Sequence, residues 1–186
     1  MPFEFKKMEI PEIILIEQKI FKDGRGFFKE IYKMSDFKQA GFGLAFVQDS
    51  VSVSQKDTVR GLHYQKHPKA QGKYVYCLKG SIFDVVVDIR NGSPTYGRWL
   101  GVELSEENHL AVYIPPGFAH GFAVLSPEAQ MNYKLTEEYD PTLERGIVWN
   151  DPAINIQWPV QNPILSERDK KSPLLKDADN NFIYGK

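Results

Sequence analysis

Between residues 13 and 136 the chain is a succession of short apolar or alternating runs, each closed by turn-forming residues. The runs are IILIEQK (13–19), GFFKEIY (26–32), AFVQDSVSVS (45–54), GKYVYCL (72–78), SIFDVVVDI (81–89), RWLGVEL (98–104), HLAVYI (109–114), HGFAVL (120–125) and AQMNYKLT (129–136). KDGRG, LKGS, RNGSPTYG, LSEEN, PPG and LSPEA separate them, and their Gly, Pro, Asn and Asp residues favour tight reversals. Many short strands at regular spacing predict an all-β sandwich or barrel. Helical signal is sparse: MSDFKQAGF offers Ser35 as an N-cap and Gly41 as a stop, and LSERDKK predicts another short turn of helix. From about residue 150 to 186 the chain is Pro-rich and irregular, which predicts a tail packed across the barrel of a single domain spanning 1–186.

A chain of 186 residues is long enough to bury well over half of its unfolded surface. The formal charge of -1 gives no overall attraction to nucleic acid or membrane, so neither is expected as a partner, and an anionic ligand would need a local basic cluster. A lone cysteine, Cys77 in the apolar run YVYCL, excludes an internal disulfide and reads as a buried structural thiol. No apolar run reaches the roughly 18 residues of a membrane span, and MPFEFKKMEIPEI lacks the apolar core of a signal peptide. Cytoplasmic residence is the resulting expectation.

VRGLHYQ (59–65) places Arg60, His63 and Gln65 in a segment with the look of a buried strand. Alternation puts Arg60 and His63 on opposite faces of a regular strand. Both can serve one pocket only if the chain bends or bulges, which Gly61 permits. Elsewhere parity gathers polar groups: Lys73 shares a face with Val75 and Cys77, and Tyr133 shares one with Met131 and Leu135. Both are predicted to point into the barrel.

Pro115, Gly117 and His120 form P-x-G-x-x-H, the second motif of the cupin β-barrels, whose terminal histidine commonly binds metal. Aligned on Gly80, the position of the first motif's glutamate holds Lys73, and its histidine pair falls in QKHP (65–68), where only His67 stands. An ammonium has no lone pair to offer and repels a divalent cation. The sequence therefore resembles a cupin barrel with a dismantled metal site, and no metal is expected.

Without a metal, His63, His120, Lys73 and Tyr133 suit proton abstraction next to a carbonyl. An imidazole can take a proton near neutral pH, a phenol can return one, and an ammonium can stabilise an oxyanion. A carboxylate on the other imidazole nitrogen would orient the base. Singly, each residue has a plainer explanation, and Asp169 in LSERD reads first as the third position of a capping box begun by Ser166.

FKDGRGFFKE, RGLHYQ, AQGKYVYCLKGSIFDVVVDIR, IPPGFAHGF, YKLTEEYDP, RGIVWNDPAINIQWP and PILSERDKKSP occur in this order. Together they closely resemble the dTDP-4-dehydrorhamnose 3,5-epimerases, from about residue 10 to 175. The resemblance implies a metal-free, cupin-like jelly roll with a few short helices, dimerising by strand exchange through about residues 1–20. It implies an isomerase that inverts C3 and C5 of dTDP-4-dehydro-6-deoxy-D-glucose. Carried over by motif, His63 is the base, Asp169 its partner, Lys73 the enolate stabiliser, and Tyr133 the acid on the opposite face. Arg25, Glu30, Gln48, Ser50, Arg60, His120, Tyr139, Glu144 and Arg168 would line the nucleotide-sugar site. Both C3 and C5 flank the C4 ketone, so one cation could serve both inversions. No redox cofactor is needed and no G-x-G-x-x-G fingerprint occurs, so none is expected.

Two departures from the family pattern stand out. Ser50 occupies a position where the family carries Asn, which bears on nucleotide contacts, and Glu138 replaces one member of an aromatic pair beside Tyr139. Rival readings are a mono-epimerase or 3,4-ketoisomerase on a related 4-keto sugar, a non-catalytic nucleotide-sugar-binding cupin, and a metal enzyme using His63, His67 and His120.

Overall fold

A computed structural model describes residues 2–42 and 45–185. The strands are β1 (Phe3–Lys7), β2 (Ile14–Gln18), β3 (Ile20–Asp23), β4 (Gly26–Lys29), β5 (Gln48–Gln55), β6 (Val59–Gln65), β7 (Lys73–Lys79), β8 (Ser81–Asp88), β9 (Trp99–Ser105), β10 (Leu110–Ile114), β11 (Phe118–Val124), β12 (Glu128–Leu135) and β13 (Glu144–Gly146). Helices α1 (Met34–Gln39) and α2 (Glu167–Lys170) and a 3-10 turn at Leu175–Asp177 complete the described elements. The strands form a six-stranded sheet in the order β1-β2-β10-β7-β12-β5, a five-stranded sheet in the order β13-β6-β11-β8-β9, and a separate β3–β4 hairpin.

The two larger sheets pack face to face. Val75, Cys77, Val112 and Met131 of one meet Ile82, Val86, Phe118, Phe122 and Val124 of the other in a continuous buried core. Each such fully buried side chain contributes about 1.5–3 kcal/mol. The outer faces are covered as well. Phe37 of α1 with its neighbours Tyr32, Phe42 and Phe46 packs on Tyr74, Tyr76 and Tyr113. Ile154, Ile156, Leu175 and Phe182 of the irregular tail pack on Leu62, Val85 and Val87. Double coverage explains why YVYCL is apolar at both parities: Val75 and Cys77 face the sandwich interior, Tyr74 and Tyr76 the aromatic layer. Cys77 is buried, its thiol pushed up to about 11 by that burial, and it donates to the Lys79 carbonyl at 3.0 Å.

Every run expected to be a strand contains one, with ends shifted by a few residues. Strands β1, β3 and β13 went unpredicted, being too short for alternation to register against charged neighbours. Helix α1 corrects one expectation. Its N-cap is Lys33 rather than Ser35, which sits inside the helix and donates to Asp36 Oδ1 at 3.3 Å. Gly41 does end the helix, at φ 93° with its N–H on the Lys38 carbonyl at 3.1 Å. Residues 3–7 and 14–18, part of the segment expected to exchange, pair within the chain: β1 on β2 and β2 on β10.

The β6–β11 pairing creates the irregularity that the site requires. His63 lies opposite His120 and Arg60 opposite Phe122, so three steps along β6 match two along β11. The extra residue cancels the parity difference, and Arg60 and His63 both line one cavity. Gly61 sits at φ 118°, and a Cβ there would lie 2.6 Å from Gly121 Cα and 2.7 Å from the His120 carbonyl oxygen. The contacts are backbone on both sides, so no rotamer change could relieve them.

Candidate active site

A cavity of about 1000 Å³ opens between the sheets where β5, β6, β11 and β12 meet the loop before α2. His63 projects into it from β6 and Asp169 from α2, separated by 106 residues in sequence, and His63 Nε2 lies 2.7 Å from Asp169 Oδ1. Ser166 caps α2 by accepting the Asp169 N–H at 3.1 Å, as the capping-box pattern requires. The reciprocal half of that box is absent. The Asp169 carboxylate turns instead to His63, and its second oxygen accepts the Gly61 N–H at 3.4 Å.

Burial would raise the Asp169 carboxyl pKa, but the hydrogen bond and charge of His63, with the Gly61 N–H and Arg168, bring it below the usual value. A carboxylate can only accept, so Nε2 is the nitrogen that carries a proton toward Asp169, and in the neutral ring Nδ1 holds the lone pair. Arg168 Nη2 stands 2.9 Å from the same Nε2. One protonated nitrogen cannot also accept from a guanidinium, and the buried carboxylate has the stronger claim. Arg168 is held by ion pairs to Glu144 and, at 3.5 Å, to Asp169.

Lys73 starts β7, and its Nζ donates to the His63 carbonyl at 3.2 Å. The ammonium thus touches the backbone of the residue that carries the base candidate, and both side chains line the one cavity. Burial pulls the Lys73 ammonium down to about 8, against the opposing pull of Glu144 and Asp84. Tyr133 of β12 also lines the cavity, its Oη 3.0 Å from Ser52 Oγ on β5. Burial pushes this phenol up to about 12, while the Ser52 hydrogen bond and the charge of Arg60 act the other way.

His120 is buried with Nε2 2.7 Å from Asp84 Oδ2. Burial lowers its pKa despite Asp84, helped by the charges of Lys73 and His63. Arg60 donates through Nε to Ser54 Oγ at 2.9 Å. Gln48 donates to Ser50 Oγ at 3.1 Å and accepts the Tyr139 N–H at 2.8 Å, and the Tyr139 hydroxyl donates to Glu144 Oε2 at 2.8 Å. All of these except Asp84 line the cavity.

Arg25 and Glu30 do not. Arg25 is at the tip of the β3–β4 hairpin in an ion pair with Asp23 at 2.6 Å, and Glu30 lies beside Lys19, Phe21, Phe28 and Lys33. His67 is also outside, packed edge-to-face on Phe182 with ring centroids 5.1 Å apart. Among the described residues, no group of three or more His, Cys, Asp or Glu side chains is arranged to hold a metal ion, and no helix is long and apolar enough to cross a membrane.

Comparison with known proteins fits this arrangement. A family profile described as dTDP-4-dehydrorhamnose 3,5-epimerase matches residues 7–177. The chain belongs to that family. The dTDP-4-dehydrorhamnose 3,5-epimerase of Shigella flexneri is 53% identical over 93% of this chain and 96% of its own. A Legionella pneumophila dTDP-6-deoxy-D-glucose-3,5-epimerase, solved with dTDP-4-keto-L-rhamnose, superposes with a TM-score of 0.91 at 46% identity, covering 94% of this chain and 93% of that one. A dTDP-4-dehydrorhamnose 3-epimerase from Streptomyces niveus is 44% identical over 84% of this chain and 76% of its own.

For this epimerase-family chain, sequence reasoning overlooked Asp84, Ser52 and Ser54. A signal for Asp84 existed: it alternates with Ile82 and Val86, both in the central core, so a carboxylate there has to face inward. The serines were hidden because small hydroxyls are common on both faces of a strand.

Proposed function

We propose that this chain is a 3,5-epimerase of dTDP-4-dehydro-6-deoxy-D-glucose, giving dTDP-4-dehydro-L-rhamnose, and that it works as a cytoplasmic homodimer. The observation that carries the reading is the convergence of the His63–Asp169 pair, Lys73 and Tyr133 on one cavity. His63 Nδ1 takes the proton from the carbon next to the C4 ketone. Lys73 bears the charge that develops on the C4 oxygen, and Tyr133 returns a proton from the opposite face. The imidazolium then loses its proton to water and the phenolate regains one, so the enzyme is restored. Arg60 and Arg168 are placed to bind a diphosphate, and Gln48 with Ser50 to contact the nucleotide.

The homodimer accounts for Arg25 and Glu30. Both lie on or beside a hairpin whose Phe21, Phe27 and Phe28 are 46%, 55% and 65% exposed, an apolar patch of the kind that marks an interaction surface. A second copy would bury these rings and receive the arginine and glutamate at its own cavity. On this reading the hairpin, residues 20–30, crosses to the partner next to the segment of about residues 1–20 that the resemblance implied. Light scattering is expected to give the mass of two chains, and a single-chain mass would remove the dimer.

In deuterated water, label is expected at both C3 and C5 of the product by NMR. Label at one carbon alone would replace the reading with a mono-epimerase, the activity named for the Streptomyces niveus relative. Tight binding of dTDP with no exchange at all would leave a binding protein.

A further inference from the structure

Strand β5 turns Gln48, Ser50, Ser52 and Ser54 toward the cavity, while Val51 and Val53 between them are each 54% exposed. Each inward serine meets a different side chain: Ser50 meets Gln48, Ser52 meets Tyr133, and Ser54 meets Arg60. In the β5–β12 register Ser52 pairs with Met131, so it reaches Tyr133 diagonally across the ladder. Among the described residues, the Ser52 hydroxyl is the one side chain in hydrogen-bond contact with the Tyr133 oxygen, at 3.0 Å.

We propose that Ser52 is a positioning residue for proton return by Tyr133. This deepens the proposed function and rests on Tyr133 being the acid. A phenol has a single hydrogen. If that hydrogen points at Ser52 it is unavailable to the substrate; if Ser52 donates, the Tyr133 hydrogen is free to aim at carbon. During transfer the Tyr133 O–H bond breaks and its electron pair stays on the phenolate. The enolate electrons form the new C–H bond as the C4 carbonyl is restored. The Ser52 O–H already directed at that oxygen then stabilises the phenolate, in surroundings where burial opposes negative charge. Arg60, anchored on Ser54, adds its positive charge from the same side. Proton removal by His63 does not use this contact, so Ser52 acts on one half of the reaction.

That asymmetry is the test. Ser52→Ala is expected to lower inversion about tenfold, the effect of one hydrogen bond to a charged group. Exchange of substrate hydrogen with deuterated solvent, without inversion, should stay within about twofold of wild type. Enolates formed by His63 then return through His63, and the ratio of exchange to inversion rises. Ser52→Thr, which keeps the hydroxyl, should restore inversion to within about threefold.

An unchanged ratio in Ser52→Ala, whether both rates fall together or neither falls, overturns the proposal, and equal thermal midpoints separate such a result from misfolding. In a Tyr133→Phe background, Ser52→Ala should have no further effect. An added loss there would place Ser52's action elsewhere and also overturn it. Failure of the underlying reading looks different: Tyr133→Phe itself would keep normal inversion.

Discussion

His63→Ala is expected to reduce turnover by about a thousandfold or more, while affinity for dTDP stays within about threefold. The magnitude is that of losing a general base acting on a carbon acid. Water could replace the imidazole, but without the Asp169 contact at 2.7 Å it would be neither oriented nor stabilised once protonated. Binding survives because the groups placed for the diphosphate, Arg60 and Arg168, have anchors of their own in Ser54 and Glu144. Solvent deuterium entry followed by NMR reads the chemistry, and titration calorimetry with dTDP reads the binding. A variant keeping more than a tenth of the wild-type rate would remove His63 as the base.

Lys73→Met, which keeps most of the side-chain volume and deletes the charge, should cost about a hundred- to thousandfold in turnover, the range for removing one oxyanion-stabilising group. The pH profile makes this prediction specific. The ammonium is the working form, and burial has brought its pKa down to about 8. Activity should therefore hold up to about pH 8 and fall as the pH rises beyond it, because deprotonation removes the charge that the enolate needs. The Tyr133 phenol, pushed up to about 12, titrates too high to account for such a fall. In Lys73→Met the residual rate should lose this alkaline decline. Persistence of the same decline in the variant would assign it to another group and leave Lys73 without the enolate role.

How far the site could be read in advance depended on whether its logic was local. Lys73 and Tyr133 were legible because each sits among apolar neighbours whose parity fixes the inner face, Val75 and Cys77 for one, Met131 for the other. The Arg60–His63 conflict was legible too, since Gly61 marks where a strand can gain a residue, and the register shift against β11 falls there. Asp169 was different. Its neighbours spell a helix cap, and half of that cap forms; no pattern within LSERD announces that the carboxylate turns toward a histidine 106 residues away. Only the family resemblance paired the two. Ser35 shows the reverse error, a good local cap signal overridden where Lys33 takes the position and Phe37 is drawn into the aromatic layer. Arg25 and Glu30 sat in recognisable motifs, but their distance from the chain's own cavity follows from the course of the β3–β4 hairpin, which no local pattern specifies.

The route by which Asp169 reaches His63 also bears on biosynthesis. The barrel strands are all translated by residue 146, whereas the helix bearing the aspartate follows about twenty residues later. A nascent polypeptide thus carries His63, Lys73 and Tyr133 before the carboxylate that orients its base has been made. Messages cut short in that interval would yield chains without Arg168 and Asp169 and without the Leu175 and Phe182 that cover Leu62, Val85 and Val87, so such fragments are expected neither to turn substrate over nor to keep that face dry.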